Sequence, residues 1–292
     1  MKPREFAKPF RIKDGADFHL NRFDPGDTLG LQSKQHAQQT LERGIVRLAS
    51  LQEKLYAQDH WAILVILQAM DAAGKDSTIK HVMSGVNPQG CRVYSFKTPS
   101  AEDLEHDYLW RTTRFLPERG HIGIFNRSYY EEVLVVRVHA DLLARQKIPP
   151  SLVSETIWQE RFEDINAYER HLYRNGTAVL KFFLHLSKEE QKKRFLERLE
   201  KPDKNWKFSV SDVLERQHWN AYMRAYQEMI QNTSTKHAPW YVVPADHKWF
   251  ARLVVAQALI DTLEELKPAF PQADAERRKE AKKAKAALMR EK

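Results

Sequence analysis

The amino-acid sequence predicts an α/β protein: a three-layer arrangement with a five-stranded, mostly parallel sheet between helices. Three observations carry this expectation. Five short apolar runs alternate with segments of helical character. The runs are apolar almost throughout rather than at every second residue, as a strand covered on both faces requires. The first run leads into a glycine–lysine loop just ahead of a helical segment.

Taken in order, residues 1–33 hold Pro3, Pro9, Pro25 and three glycines and read as an irregular arm. Residues 34–57 place Leu41, Ile45, Leu48, Leu51 and Leu55 on one side of a helix. The predicted strands are 61–68, 91–96, 121–126, 178–184 and 240–243, and the segments between them are long enough for crossover helices. Ligands of such sheets bind beyond the carboxyl ends of the strands. That rule selects Ala69–Lys75, Arg127–Glu132 and Pro244–Lys248. The stretch 186–236, rich in Lys, Arg, Gln and aromatics, reads as a mostly helical insertion serving as a lid. The main domain is therefore expected over 34–266, followed by a basic tail over 267–292. From Gln272 onward the tail carries 8 Lys/Arg against 4 Asp/Glu, the composition of a solvated, fraying helix.

Composition narrows the function classes. The chain has 292 residues and 42% hydrophobic content, suited to one large domain. Its longest apolar run, Trp61 to Leu67, falls far short of the roughly 20 residues that span a bilayer. MKPREFAKPF lacks the apolar stretch of a secretory signal, and Cys91 is the only cysteine. A disulfide framework is excluded, and the expected setting is the reducing cytoplasm without a membrane partner. A net charge of +8 favours polyanionic ligands.

The loop after the first strand reads Ala69-Met70-Asp71-Ala72-Ala73-Gly74-Lys75-Asp76-Ser77-Thr78. It is close to the phosphate-binding pattern G-x-x-x-x-G-K-[ST], in which successive backbone N–H groups and a helix N-terminus face a phosphate while the lysine reaches across its oxygens. Ala72, Ala73, Gly74, Lys75, Asp76 and Ser77 are thus the expected phosphate cradle. Ala69 stands in place of the first glycine, and Asp76 in place of the metal-binding hydroxyl. A carboxylate beside bound phosphates repels them unless a cation lies between, so Asp71 is the metal-ligand candidate. At the end of the third strand Asn126 occupies the place where an acidic residue commonly stands. The Arg127 that follows can fork two N–H groups onto phosphoryl oxygens. Tyr129 and Tyr130 read as packing residues.

These segments resemble the second family of polyphosphate kinases, the polyphosphate–nucleotide phosphotransferases. The resemblance rests on MDAAGKDSTIKHV (70–82), GVNPQGCRVYSFKTPS (85–100), IFNRSYYEEVLVVRVH (124–139), KRFLERLEKPDKNWKFSVSD (193–212) and WYVVPADHKWFARL (240–253), and it spans roughly 30–266. It implies a P-loop kinase αβα sandwich with a helical lid. The implied reaction is reversible transfer of the terminal phosphoryl of inorganic polyphosphate to AMP or ADP. Mg²⁺ is the implied cofactor, replaceable by Mn²⁺, and the implied assembly is a homodimer or homotetramer. By the same resemblance Asp71, Lys75 and Arg127 are catalytic, and Arg194, Arg198, Lys204 and Lys207 bind polyphosphate. Asn126, Arg127 and Glu131 face the nucleotide. Many members carry Asp-Arg-Ser-Trp-Tyr-Asn where this chain has Asn126 to Glu131. The chain resembles instead the subgroup that accepts both nucleoside mono- and diphosphates, marked by Glu131.

A polyphosphate chain presents only a row of regular charges, so its recognition needs a row of cations. Nine Lys/Arg against five Asp/Glu lie between Lys181 and Lys207. Two rival readings share parts of this pattern. An ATP-dependent nucleotide kinase of thymidylate or adenylate type would carry Ser or Thr directly after Lys75. A basic nucleic-acid-binding protein would suit the charge, yet no zinc-finger, helix-turn-helix or RNA-recognition signature is present, and no nucleic-acid partner is expected.

Overall fold

The computed structural model describes residues 5–291; the Lys207 side chain also lies outside the described residues. The arm does more than lead into the domain. Arg11–Ile12 (β1) adds a short antiparallel edge strand, Arg11 facing Tyr241 across the pair. The sheet therefore has six strands rather than five. Aromatic packing explains the difference: the Phe6 and Phe10 rings meet Phe250 edge-on at 6.5 and 5.9 Å. This pins the arm beside a sheet edge whose backbone groups would otherwise lack partners.

Lys34–Gln58 (α1) begins at Ser33, whose hydroxyl accepts from the His36 N–H, and ends at Asp59 in the left-handed region. Ala62–Gln68 (β2) is buried at every residue and leads through the 69–74 loop into Lys75–Val82 (α2). Cys91–Ser95 (β3) is the far edge and is mostly exposed. Trp110–Thr113 (α3) is one short turn before Ile122–Asn126 (β4). Val135–Val138 (α4), Ala140–Arg145 (α5) and Ile157–Arg174 (α6) lead to Thr177–His185 (β5). The insertion contains Lys188–Glu200 (α7), Val210–Leu214 (α8) and Trp219–Thr233 (α9). Trp240–Pro244 (β6), Lys248–Leu266 (α10) and Ala275–Leu288 (α11) complete the described chain.

The strand order is β1-β6-β5-β2-β4-β3, with every pairing parallel except β1–β6. Side chains on β2 alternate between two cores. Ile63, Val65 and Leu67 join the core under α1 and α10, while Leu64 and Ile66 join the one under α6 and α9. This is the period-2 geometry of a strand carrying apolar residues on both faces. The insertion divides in two. α7 and α8 carry Leu196, Leu199, Val210 and Leu214 exposed, whereas α9 buries Tyr222, Tyr226, Met229 and Ile230. Its second half is therefore a core helix and only its first half overhangs the sheet. α11 is exposed along its whole length.

Candidate active site

The carboxyl ends of β2 and β4 lie side by side, Leu67 opposite Asn126, and bring the two expected segments together. The 69–74 loop turns sharply twice, with Ala72 at φ +64° and Gly74 at φ +102°. Glycine is needed at 74 for that backbone angle, whereas Ala72 holds a left-handed conformation that costs an alanine of order 1–3 kcal/mol. α2 starts at Lys75, and its first N–H groups have no partner within the helix. Lys75 is buried and its Nζ donates to the Ala69 carbonyl at 2.9 Å, folding the side chain back across the loop. Burial pulls its pKa below the ordinary lysine range, and the nearby Asp71 charge opposes that shift.

Arg127, at φ +66°, is a second strained residue. Its guanidinium donates to Asp71 Oδ1 at 2.9 Å and lies 3.7 Å from Glu131 Oε2, and Glu131 also accepts from Gln68 Nε2 at 2.9 Å. Asp71, Arg127 and Glu131 thus form one linked set. Asn126 donates through Nδ2 to Asp76 Oδ1 at 2.7 Å, while its buried Oδ1 has no hydrogen-bond partner among the described residues. Ser77 accepts from Arg252 Nη2 at 2.7 Å.

The four expected lid cations take different places. Arg194 is buried behind the loop with all five N–H donors engaged. Nε meets Glu190 at 2.8 Å; Nη1 meets the Ala72 and Ala73 carbonyls at 3.0 and 2.9 Å; Nη2 meets those of Ala245 and Asp246 at 2.7 and 2.9 Å. It braces the loop against the segment after β6 and keeps no donor for a substrate in this arrangement. Arg198 lies 3.5 Å from Asp212, and Lys204 donates to Glu197 Oε1 at 2.8 Å. Hydrogen bonds from Lys201 and Lys204 draw the Glu197 pKa down to about 2. The Lys207 side chain is outside the described residues. Lys181, counted above with the cationic stretch, is fully buried in β5 instead.

A cleft of about 820 Å³ spans the loop, and Lys75, Lys97, Arg127, Arg194, Arg198, Lys204 and Lys248 all line it. A neighbouring cavity of about 290 Å³ shares Phe96, Lys97, Thr98 and Arg127 with it and continues between Tyr108, Glu131 and Val135. Lys248 and Asp212 also bear on the site. Lys248 stands at the end of the Pro244–Lys248 strand-end segment, and the charge rule alone could have picked it out. Burial, with Arg194 nearby, lowers its pKa. Asp212 closes the KFSVSD run; burial and the Asp71 charge raise its pKa. Nothing local in the sequence marks that proximity.

The donor set suits a hard cation. Asp71 and the unpartnered Asn126 Oδ1 could supply oxygen ligands of the kind Mg²⁺ prefers, one or two carboxylates sufficing. Among the described residues no cluster of three or more His, Cys, Asp or Glu forms a self-sufficient metal cage. No helix among them is long and apolar enough to cross a membrane.

Comparison with known proteins identifies the family. The family model described as Polyphosphate kinase 2 matches residues 31–271. The chain is 52% identical over 275 residues to an ADP-polyphosphate phosphotransferase of Rhodopseudomonas palustris, covering 94% of this chain and 95% of that protein. It is 46% identical over 266 residues to an AMP/ADP-polyphosphate phosphotransferase of Meiothermus ruber, covering 91% and 96%. A crystal structure of polyphosphate kinase 2 from Arthrobacter aurescens TC1 superposes with a TM-score of 0.85 at 40% identity, over 92% of each chain. With its phosphate loop, its paired strand ends and this extent of similarity, the chain belongs to the polyphosphate kinase 2 family.

Proposed function

We propose that the chain transfers the terminal phosphoryl group of inorganic polyphosphate to AMP and to ADP, reversibly and with Mg²⁺. One observation carries the reading: two cavities meet at Arg127, one lined by the phosphate loop and a row of cations, the other partly apolar. A chain of phosphates suits the first, because Arg198, Lys204 and Lys248 line the same cleft as Lys75. A nucleoside suits the second, whose lining mixes apolar side chains such as Phe96, Leu104 and Val135 with polar groups.

Lys75 holds the phosphoryl oxygens together with the loop N–H groups and the amino end of α2. Arg127 stands between the compartments, where its fork can follow a phosphoryl group from donor to acceptor. Asp71 and Asn126 would hold the Mg²⁺, which when bound neutralises phosphate charge. Glu131, held by Gln68, orients the arginine and borders the acceptor cavity. Arg194 acts behind the loop as its brace rather than on the substrate. The setting we assign is the cytoplasm, where nucleotides and polyphosphate meet, and the working form is a homo-oligomer.

The test is incubation with Mg²⁺, polyphosphate and either AMP or ADP, without ATP, followed by chromatography of the nucleotides. ADP then ATP should form from AMP, and ATP from ADP. An absolute requirement for added ATP as donor would overturn the reading.

A further inference from the structure

Beneath the Arg127 turn lies a buried polar network that the phosphate chemistry does not use. Lys181 in β5 and Glu169 in α6 are both fully buried and paired at 2.6 Å. Lys181 Nζ also donates to the Thr233 carbonyl at 2.7 Å and to Tyr130 Oη at 2.9 Å, so its three protons are all engaged. Tyr130 and Tyr129 donate their hydroxyls to the same oxygen, Glu169 Oε1, at 2.7 and 2.9 Å. Trp240 Nε1 donates to Thr233 Oγ1 at 2.9 Å, and Lys181 Nζ sits 5.2 Å from the Trp240 ring centre.

Such a network is a costly way to fill a core. Apolar residues of similar volume are often as stabilising as a buried ion pair, or more so. Burial lowers the Lys181 pKa and raises those of both tyrosines. What the network adds over an apolar core is position, because each hydrogen bond fixes a distance and a direction. Tyr129 and Tyr130 are the second and third residues after Arg127, whose left-handed backbone would relax unless its neighbours were held. Thr233 closes α9, the helix by which the lid insertion returns to the core.

We propose that Lys181 and Glu169, acting through Tyr129 and Tyr130, position the Arg127–Glu131 turn and register it against the core helix α9. They are positioning residues: they touch no substrate and act on the phosphoryl group only through Arg127. The inference rests on the reading of Arg127 as a phosphoryl-contacting group.

The test is a double-mutant cycle. Tyr129→Phe with Tyr130→Phe keeps both rings and removes both hydroxyls. In the wild-type background this pair should lower kcat about tenfold or more while leaving KM for polyphosphate within about twofold. In an Arg127→Lys background the same pair should change kcat by less than about twofold, because the group being positioned is already gone. To separate positioning from folding, Glu169→Leu and Lys181→Met are added to the tyrosine pair, giving an apolar core. That variant should melt no lower than the tyrosine pair alone and keep the tenfold loss. Equal losses in the two backgrounds, or recovery of kcat together with stability, would overturn the proposal. Wild-type kcat for Arg127→Lys alone would overturn it by a separate route, by removing Arg127 from the mechanism.

Discussion

Replacing Arg194 with Met separates a brace from a substrate ligand. The guanidinium is 5% exposed and bonds four backbone carbonyls and Glu190. Methionine fills much of the volume but leaves those carbonyls facing an apolar chain. Each buried acceptor left without a partner costs about 1–3 kcal/mol, and breaking a buried charged network by removing one partner typically costs about 3–5 kcal/mol in all. For a domain of this size, that loss lowers Tm by on the order of 10 °C. The loop should loosen with it, since Ala72 and Gly74 keep their left-handed angles only under constraint. Activity should fall mainly in kcat, by tenfold or more on the order expected when a catalytic group is misplaced by about 1 Å. Thermal melting followed by circular dichroism, with initial rates over a range of polyphosphate concentrations, reads both effects. Arg194→Lys should rescue little, because three donors on a flexible stem cannot span carbonyls on two segments. An unchanged Tm with a large rise in KM for polyphosphate would refute the bracing role and make Arg194 a substrate ligand.

Lys75→Met should abolish transfer in both directions, by about 10³-fold or more, with the fold intact by circular dichroism; a tenth of wild-type turnover would exclude this loop from catalysis. Asp71→Asn should be comparably damaging, with partial recovery in Mn²⁺; full activity with an unchanged Mg²⁺ requirement would mean that the cation is held elsewhere. Lys204→Ala should raise KM for polyphosphate more than for nucleotide and flatten its salt dependence, read from rates across a salt series. A rise for nucleotide alone would assign Lys204 to the other compartment. Glu131→Asn removes the charge beside Arg127 and should alter the AMP-to-ADP rate ratio; an unchanged ratio in initial rates would remove Glu131 from acceptor choice.

Near-continuous apolar runs such as WAILVIL determined the parallel strands, because burial on both faces leaves that mark on a local stretch of chain. The loop from Asp71 to Ser77 and the Arg127 that follows β4 were legible for the same reason. A strand end, a left-handed glycine and a helix start are all local, and parallel topology places strand ends together. The packing role of Tyr129 and Tyr130 was also legible, since both are buried. Two members of the cationic row were not. Arg194 and Lys181 look like their solvated neighbours in sequence, but their partners are remote. Arg194 bonds carbonyls about 50 and 120 residues away, and Lys181 draws on Glu169, Tyr130 and Thr233 from three separate elements. Likewise β1 depends on remote partners: Phe6 and Phe10 meet Phe250 across the chain, and Arg11 pairs with Glu265 beside Tyr241. Whether a polar or charged side chain faces solvent, substrate or the core depends on which distant groups can satisfy its hydrogen bonds. Only the tertiary structure assembles those groups.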